Sequence, residues 1–278
     1  MKSKLPDSMK NSSDEEWLDI LIKSVSTTVI NGVEFPGFPS EELQRQYVGS
    51  ANEQTLRAAF AFYKLVKECA EKYDRPLRQE SHFLDFGCGW GRFLRFFWNE
   101  IDEDNLFGCD VDQGIVDICH SLNILGQIDH IDPVGALPYP DSYFDSIMSY
   151  SVFTHLPEKV HLHWMKELAR VARPNCVFCL TIELRRFMDF IEKIPADTNV
   201  SWFKGLAAHK PRLAEYYQVY DSGDLVFMPT IKEWEETYGD AVVPISFIKQ
   251  KWSPHFDVRA IVDDPQKFWQ AVVIVQRL

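Results

Sequence analysis

The segment Leu84-Asp85-Phe86-Gly87-Cys88-Gly89-Trp90-Gly91-Arg92 constrains the fold more than any other part of the chain. Three glycines at alternate positions follow a short apolar run and precede an amphipathic segment. Glycine accepts backbone angles closed to other residues and carries no Cβ to hold a ligand off. The expected structure is a strand that stops on the glycines and turns into a helix over residues 91–99. The free N–H groups at the start of that helix would face the same spot. After the first strand of an open parallel sheet, such a turn is a nucleotide-type binding site.

The flanks support this reading. His82-Phe83-Leu84-Asp85-Phe86 reads as a buried strand carrying a carboxylate near its end, and Phe93, Leu94, Phe96 and Phe97 recur at helical spacing. Leu106-Phe107-Gly108-Cys109-Asp110 reads as a second strand, again ending in a carboxylate. Asp110 follows the glycines by roughly twenty residues, the distance at which an acid grips a pair of ribose hydroxyls. A dinucleotide oxidoreductase would want G-x-G-x-x-G, but Arg92 stands where its third glycine belongs and Gly91 comes one residue early.

Four motifs together resemble the class I S-adenosylmethionine-dependent methyltransferases, most clearly between Tyr47 and Ala172. They are Asp85 to Gly91, Asp110, Leu137-Pro138-Tyr139-Pro140-Asp141-Ser142-Tyr143-Phe144-Asp145, and Ser151-Val152-Phe153-Thr154-His155-Leu156. The resemblance implies S-adenosyl-L-methionine as cofactor and S-adenosyl-L-homocysteine as product. It assigns the cofactor to the backbone of Gly87, Cys88, Gly89 and Gly91, with Asp85 at its amino group and Asp110 at its ribose. Asp132, just after the third strand, is the candidate for adenine, and Asp112 is a secondary candidate beside the ribose. Ser149 to Phe153 should border the methyl group, with Ser151 touching the cofactor and Phe153 or His155 facing the acceptor. His155 is the candidate general base, because an imidazole titrates near neutrality; Tyr150 is a weaker option. Arg92 either meets the cofactor carboxylate or holds an acidic residue of the N-terminal module.

The chain has 278 residues, 46% of them apolar, and a net charge of −12. That charge argues against a nucleic-acid substrate, since phosphate neutralisation needs a basic surface. The six cysteines lie mostly in apolar segments and read as reduced thiols. Cys176 and Cys179 form a C-x-x-C in an expected central strand, with no second pair to complete a zinc site. His161 and His163 are two apart on a helix and share no face, so no metal is expected. The N-terminus has no signal-peptide pattern and no apolar run is long enough to span a membrane. A cytoplasmic location without membrane attachment is expected.

The alternation of elements predicts a doubly wound α/β fold with a mostly parallel seven-stranded sheet. Residues 1–49 read as a helical and connector segment, with residues 1–12 disordered and a capping box at Ser13–Glu16 opening a helix. Residues 50–182 read as the core, entered through a second capping box at Ser50–Glu53 and a long helix. Its strands are expected at 82–86, 105–109, 127–131, 143–149 and 175–182, with helices at 91–99, 113–122 and 157–172. Residues 183–243 break the rhythm with many aromatics, among them Phe190, Trp202, Tyr216 and Trp234. They read as a substrate-side insertion or, more blandly, a second small core. Residues 244–278 hold a short helix and two strands, 256–262 and 270–276, too briefly joined to be parallel. Such an antiparallel pair is what the resembled family adds to the doubly wound plan.

The expected activity is methyl transfer to a small-molecule acceptor at oxygen. The Pro/aromatic connector and the aromatic insertion resemble bacterial methyltransferases of glycan or secondary metabolism. The alternatives are an NAD(P)-dependent oxidoreductase and a non-catalytic S-adenosylmethionine-binding module. Oligomeric state stays open.

Overall fold

The computed structural model describes residues 5–10, 12–229 and 236–278; Trp234 lies outside them. The central sheet has seven strands: β1 (Phe83–Phe86), β2 (Leu106–Asp110), β3 (Gln127–His130), β4 (Phe144–Ser149), β5 (Ala172–Ile182), β6 (Phe256–Val262) and β7 (Ala271–Arg277). Their spatial order is β6-β7-β5-β4-β1-β2-β3. β1 pairs in parallel with both β2 and β4, and β2 with β3, whereas β6 and β7 are antiparallel. The strand order therefore reverses beside β1, where the glycine turn begins. The expected doubly wound sheet with a C-terminal antiparallel pair is the observed fold.

The chain divides into two compact units. The first comprises residues 1–148 and 171–178. β1 is buried on both faces, which is why its sequence is a continuous apolar run interrupted only by Asp85. Ser13 caps the helix Asp14–Ser24 through the expected capping box with Glu16. That helix drives Trp17 into the core, where its indole Nε1 donates to the Phe96 carbonyl at 2.9 Å. Trp17 packs with Phe35 and Trp98, ring centroids 5.4–6.1 Å apart. Lys67, from the long helix Asn52–Lys72, bridges Asp14 and Glu100, so the N-terminal helices are pinned to each other by charge as well as by apolar burial.

Three expectations in this unit fail. Residues 5–10 are ordered: Asp7–Lys10 is helical, Leu5 and Met9 are buried, and Lys10 pairs with Asp102. Two apolar side chains and one ion pair tie down a segment whose composition reads as disordered. The Ser50–Glu53 box does not form. Ala51 occupies the N-cap with no side-chain bond, because Asn52 is recruited by the helix Glu41–Val48, its N–H donating to Gln44 Oε1 at 2.8 Å. The helix expected at 91–99 is only Leu94–Phe97. Gly87, Gly89 and Gly91 have φ of +76°, +52° and +73°, and an α-helix cannot begin until the last of these left-handed residues is passed.

The second unit comprises residues 149–170 and 179–278. The insertion holds helices Arg186–Lys193, Ser201–Ala207 and Leu213–Ser222, then an antiparallel pair, Val226–Pro229 with Gly239–Val242. Its aromatics build a core of its own with Phe187, Met188, Ile191, Leu206, Tyr216, Met228 and Val242. The register of β6 against β7 shifts between Val258 and Ala260, a bulge at Arg259. Buried His161 accepts from Trp252 Nε1 at 3.0 Å through its Nε2, which ties the helix Glu158–Val171 to the end of Ile245–Lys251. Burial holds that imidazole neutral, its pKa pushed down to about 3.

Candidate active site

The glycine turn is bonded back onto the end of β2. The N–H groups of Gly87 and Cys88 both donate to the Cys109 carbonyl, at 2.9 and 3.0 Å, and Gly91 N–H donates to the Cys88 carbonyl at 3.0 Å. Gly89 N–H donates to Asp110 Oδ2 at 2.9 Å. The thiol of Cys119 donates to the Gly89 carbonyl at 3.2 Å. The alternating left-handed glycines thus fold the chain back against the tip of β2. A Cβ on Gly91 would lie 2.4 Å from Ile124 Cγ2, so this position requires glycine for space as well as for φ.

Two carboxylates face the turn. Asp110 uses Oδ2 for Gly89 and Oδ1 for the N–H of Asp112 at 3.0 Å. A carboxylate offers about four acceptor sites, so its capacity for a ribose hydroxyl pair remains. Asp85 is almost fully buried and its Oδ2 has no partner. Burial raises its pKa to about 7, against a lowering by nearby Arg92 and with a smaller raising by Asp110. A buried acceptor atom with nothing to accept is costly unless a ligand donates to it.

The N-terminal segment reaches this turn. Tyr47 lies 3.6 Å from where a Gly89 Cβ would stand, and its hydroxyl donates to Asp112 Oδ2 at 2.7 Å. Burial and that bond push the phenol pKa up. Asp112 also N-caps the helix Gln113–Ser121. Arg92 is buried and donates to Thr55 Oγ1 at 3.4 Å, a hydroxyl on the long helix Asn52–Lys72. Tyr47 was not singled out by sequence, because an isolated tyrosine near a helix end carries no local signal. Cys88 and Cys119 are buried free thiols that support the loop from behind, and proximity to Cys119, with burial, raises the Cys88 pKa well above the usual thiol value. Asp132 is exposed immediately beyond β3. Its neighbour in the strand, Asp129, instead accepts from the hydroxyl of buried Tyr139 at 2.9 Å.

The second unit holds the remaining candidates. Ser151 has φ +63°, stabilised by its N–H donating to Thr181 Oγ1 at 2.6 Å. Its hydroxyl accepts from Gln270 Nε2 at 2.9 Å. His155 Nδ1 bonds the Gly239 carbonyl at 2.8 Å, which places the ring proton on Nδ1 and leaves the Nε2 lone pair as an acceptor. Its ring stacks on Tyr238 at 4.8 Å, and Nδ1 lies 3.6 Å from Asp240 Oδ1. Desolvation lowers the His155 pKa against a raising by Gly239, so the imidazole is neutral at pH 7. Glu183, Asp240 and Gln270 gather here from separate segments, and sequence reasoning missed all three.

Comparison with known proteins gives this geometry a family. Residues 83–175 match the family model for the methyltransferase domain. Over that span the chain carries a methyltransferase domain of the class I S-adenosylmethionine-dependent kind. A mouse protein named probable tRNA methyltransferase 9B is 26% identical over 174 residues, covering 60% of this chain and 36% of its own length. The chain thus spans about a third of that curated relative. Among solved structures, a Pyrococcus horikoshii protein overlays with a TM-score of 0.56 at 14% identity, covering 86% of this chain and 99% of its own. A Synechocystis magnesium protoporphyrin IX methyltransferase, solved with bound S-adenosylhomocysteine, overlays at 0.51 with 13% identity, covering 84% of this chain and 92% of its own. At these identities both likenesses describe the fold.

The residues of this methyltransferase domain fit its cofactor. The Asp85 Oδ2, unpartnered among the described residues, suits a cationic amino group, the Gly87–Gly91 turn with its three left-handed glycines suits close approach of an amino-acid tail, and Asp110 at the tip of β2 suits a ribose. When bound, S-adenosylmethionine supplies a methyl group already attached to a good leaving group.

Proposed function

We propose that the chain transfers a methyl group from S-adenosylmethionine to a hydroxyl of a small-molecule acceptor, with His155 as general base. The observation that carries the acceptor half is the fixed tautomer of His155. Its Nδ1 is committed to the Gly239 carbonyl, and Nε2 is free of any partner among the described residues. A neutral imidazole held in this way can accept the proton that an acceptor hydroxyl loses as its oxygen takes the methyl group. Positioned bases of this kind contribute about 10²- to 10⁴-fold. Ser151 and Gln270 hold the segment between β4 and His155 in place.

The methyltransferase-domain match sets the oxidoreductase alternative aside. The relatives named for tRNA suggest a polynucleotide acceptor; the net charge of −12 weighs against it, because binding a polyanion needs neutralising cations. A small molecule is the better-supported acceptor. No helix among the described residues is long and apolar enough to cross a membrane.

The test uses deuteromethyl-labelled cofactor and mass spectrometry, with a panel of hydroxylated small molecules and bulk tRNA as acceptors. Labelled methyl ethers should form, and His155→Gln should lower turnover about a hundredfold or more with cofactor affinity unchanged. Label in tRNA alone, or full activity in the variant, would overturn the proposal.

A further inference from the structure

Glu183 and Asp240 are 4% and 6% exposed, and the catalytic reading above uses neither. Glu183 follows the end of β5, and its backbone pairs with Val242 and Val243. Asp240 sits two residues earlier on that same strand. Gly239 and Ala241 pair with the carbonyls of His155 and Thr154, so the strand joins β5's end to the His155 segment. Asp240 and Val242 alternate to one face of that strand, and Val242 is the residue paired with Glu183, so the charge on Asp240 raises the Glu183 pKa.

Among the described residues this cluster is short of cations. Among the described residues, Asp240 makes no ion pair with lysine or arginine; its nearest basic group is His155, itself neutral. Arg186 faces Glu183, but its guanidinium is also bonded to Asp263 at 2.7 Å and to the Phe268 carbonyl at 3.4 Å. Burial consequently drives both acids toward their neutral forms, Asp240 to about 7 and Glu183 to about 8.

A second, independent feature points to a missing donor. Gln270 is 8% exposed and its amide nitrogen is bonded to Ser151, and it also reaches Glu183. Its Oε1, on the same amide within the cluster, has no partner. Thr154 Oγ1, beside the strand carrying Asp240, is likewise buried and without a partner among the described residues. The cluster therefore holds buried acceptors together with two carboxyls that a neighbouring cation would return to their charged form, and it suits a ligand that brings N–H donors and a positive charge.

We infer that the acceptor carries a protonated amine, and that Asp240 and Glu183 anchor it with help from the Gln270 carbonyl oxygen. The amine is a handle; the methylated atom is a hydroxyl near His155. Buried carboxylates reject anions and gain little from neutral groups, so this cluster selects by charge. The inference rests on the acceptor reading above and names its substrate class.

The test is made on protein saturated with S-adenosylhomocysteine, so no turnover is involved and its result stands apart from that of the methyl-transfer assay. Ethylammonium chloride is titrated at pH 8 and the melting temperature is followed, with potassium chloride, 1-propanol and sodium propionate as matched controls. Ethylammonium should raise the melting temperature saturably while the controls do not. Asp240→Asn and Glu183→Gln should each weaken that response about tenfold or more, as loss of a charge-assisted bond implies. Wild-type protein that responds equally to ethylammonium and potassium would overturn the inference without recourse to any variant. A response unchanged in both variants would overturn it as well.

Discussion

Asp85→Asn isolates the buried carboxyl beside the glycine turn. In the cofactor-free protein the Asp85 pKa rises from 3.8 to about 7, chiefly through burial. The sign follows from proton linkage: the folded protein holds this proton more tightly than the unfolded chain. The stabilising contribution is complete below about pH 4. It is lost progressively as pH rises to about 7 and then levels off. Three pKa units correspond to about 4 kcal/mol, which sets the order of magnitude for this almost fully buried group. Asparagine keeps the shape and cannot ionise, but its amide N–H groups need acceptors and cost roughly 1–3 kcal/mol if unmet. The variant should therefore be slightly less stable than wild type at pH 4.5 and more stable at pH 8. Urea unfolding at both pH values without cofactor measures the difference. If Asp85→Asn differs from wild type by the same amount at both, burial is not what governs this carboxyl and the reasoning fails. Adding S-adenosylhomocysteine should shrink the wild-type pH dependence, because a cation beside Asp85 stabilises its charged form.

Other substitutions probe the rest of the account. Gly91→Ala places a Cβ 2.4 Å from Ile124 at φ +73°; melting should fall by several degrees, given about 1–2 kcal/mol for the backbone alone, and calorimetric titration should show weakened cofactor binding. His161→Leu leaves the Trp252 indole N–H buried without its 3.0 Å acceptor, which should cost about 1–3 kcal/mol in denaturant unfolding while cofactor affinity stays the same. Ser13→Ala removes the capping box of the first long helix and should cost about 1 kcal/mol, read in the same unfolding assay.

The sheet was legible because its strands carry local signals. β1 and β2 are apolar runs ending near acids, and the distance from the glycines to Asp110 places that carboxylate at the turn, where it now holds Gly89. The terminal strands were legible as antiparallel from the short link between them. Local signals misled where a distant partner decided the outcome. Ser50 to Glu53 has the letters of a capping box, but Gln44 takes Asn52. Leu5 and Met9 sit in a polar stretch, yet find apolar cover. The helix after the glycines starts late because left-handed residues at alternate positions up to Gly91 forbid an earlier start. The cluster around His155 is the extreme case. His155, Glu183, Asp240 and Gln270 come from four segments, and no spacing rule links them. Only the folded chain shows two acids, an unpartnered amide oxygen and a fixed imidazole as neighbours.

The central claim is that the Gly87–Gly91 turn and Asp110 together form an adenosyl site. Calorimetric titration of S-adenosylhomocysteine into wild type and Asp110→Ala tests it most directly. Wild type should bind one equivalent. Asp110→Ala should bind about a hundredfold more weakly or worse, as loss of two bonds to a charged acceptor implies, with its circular dichroism spectrum intact. No heat of binding in wild type, or equal affinity in a folded Asp110→Ala protein, would contradict the claim.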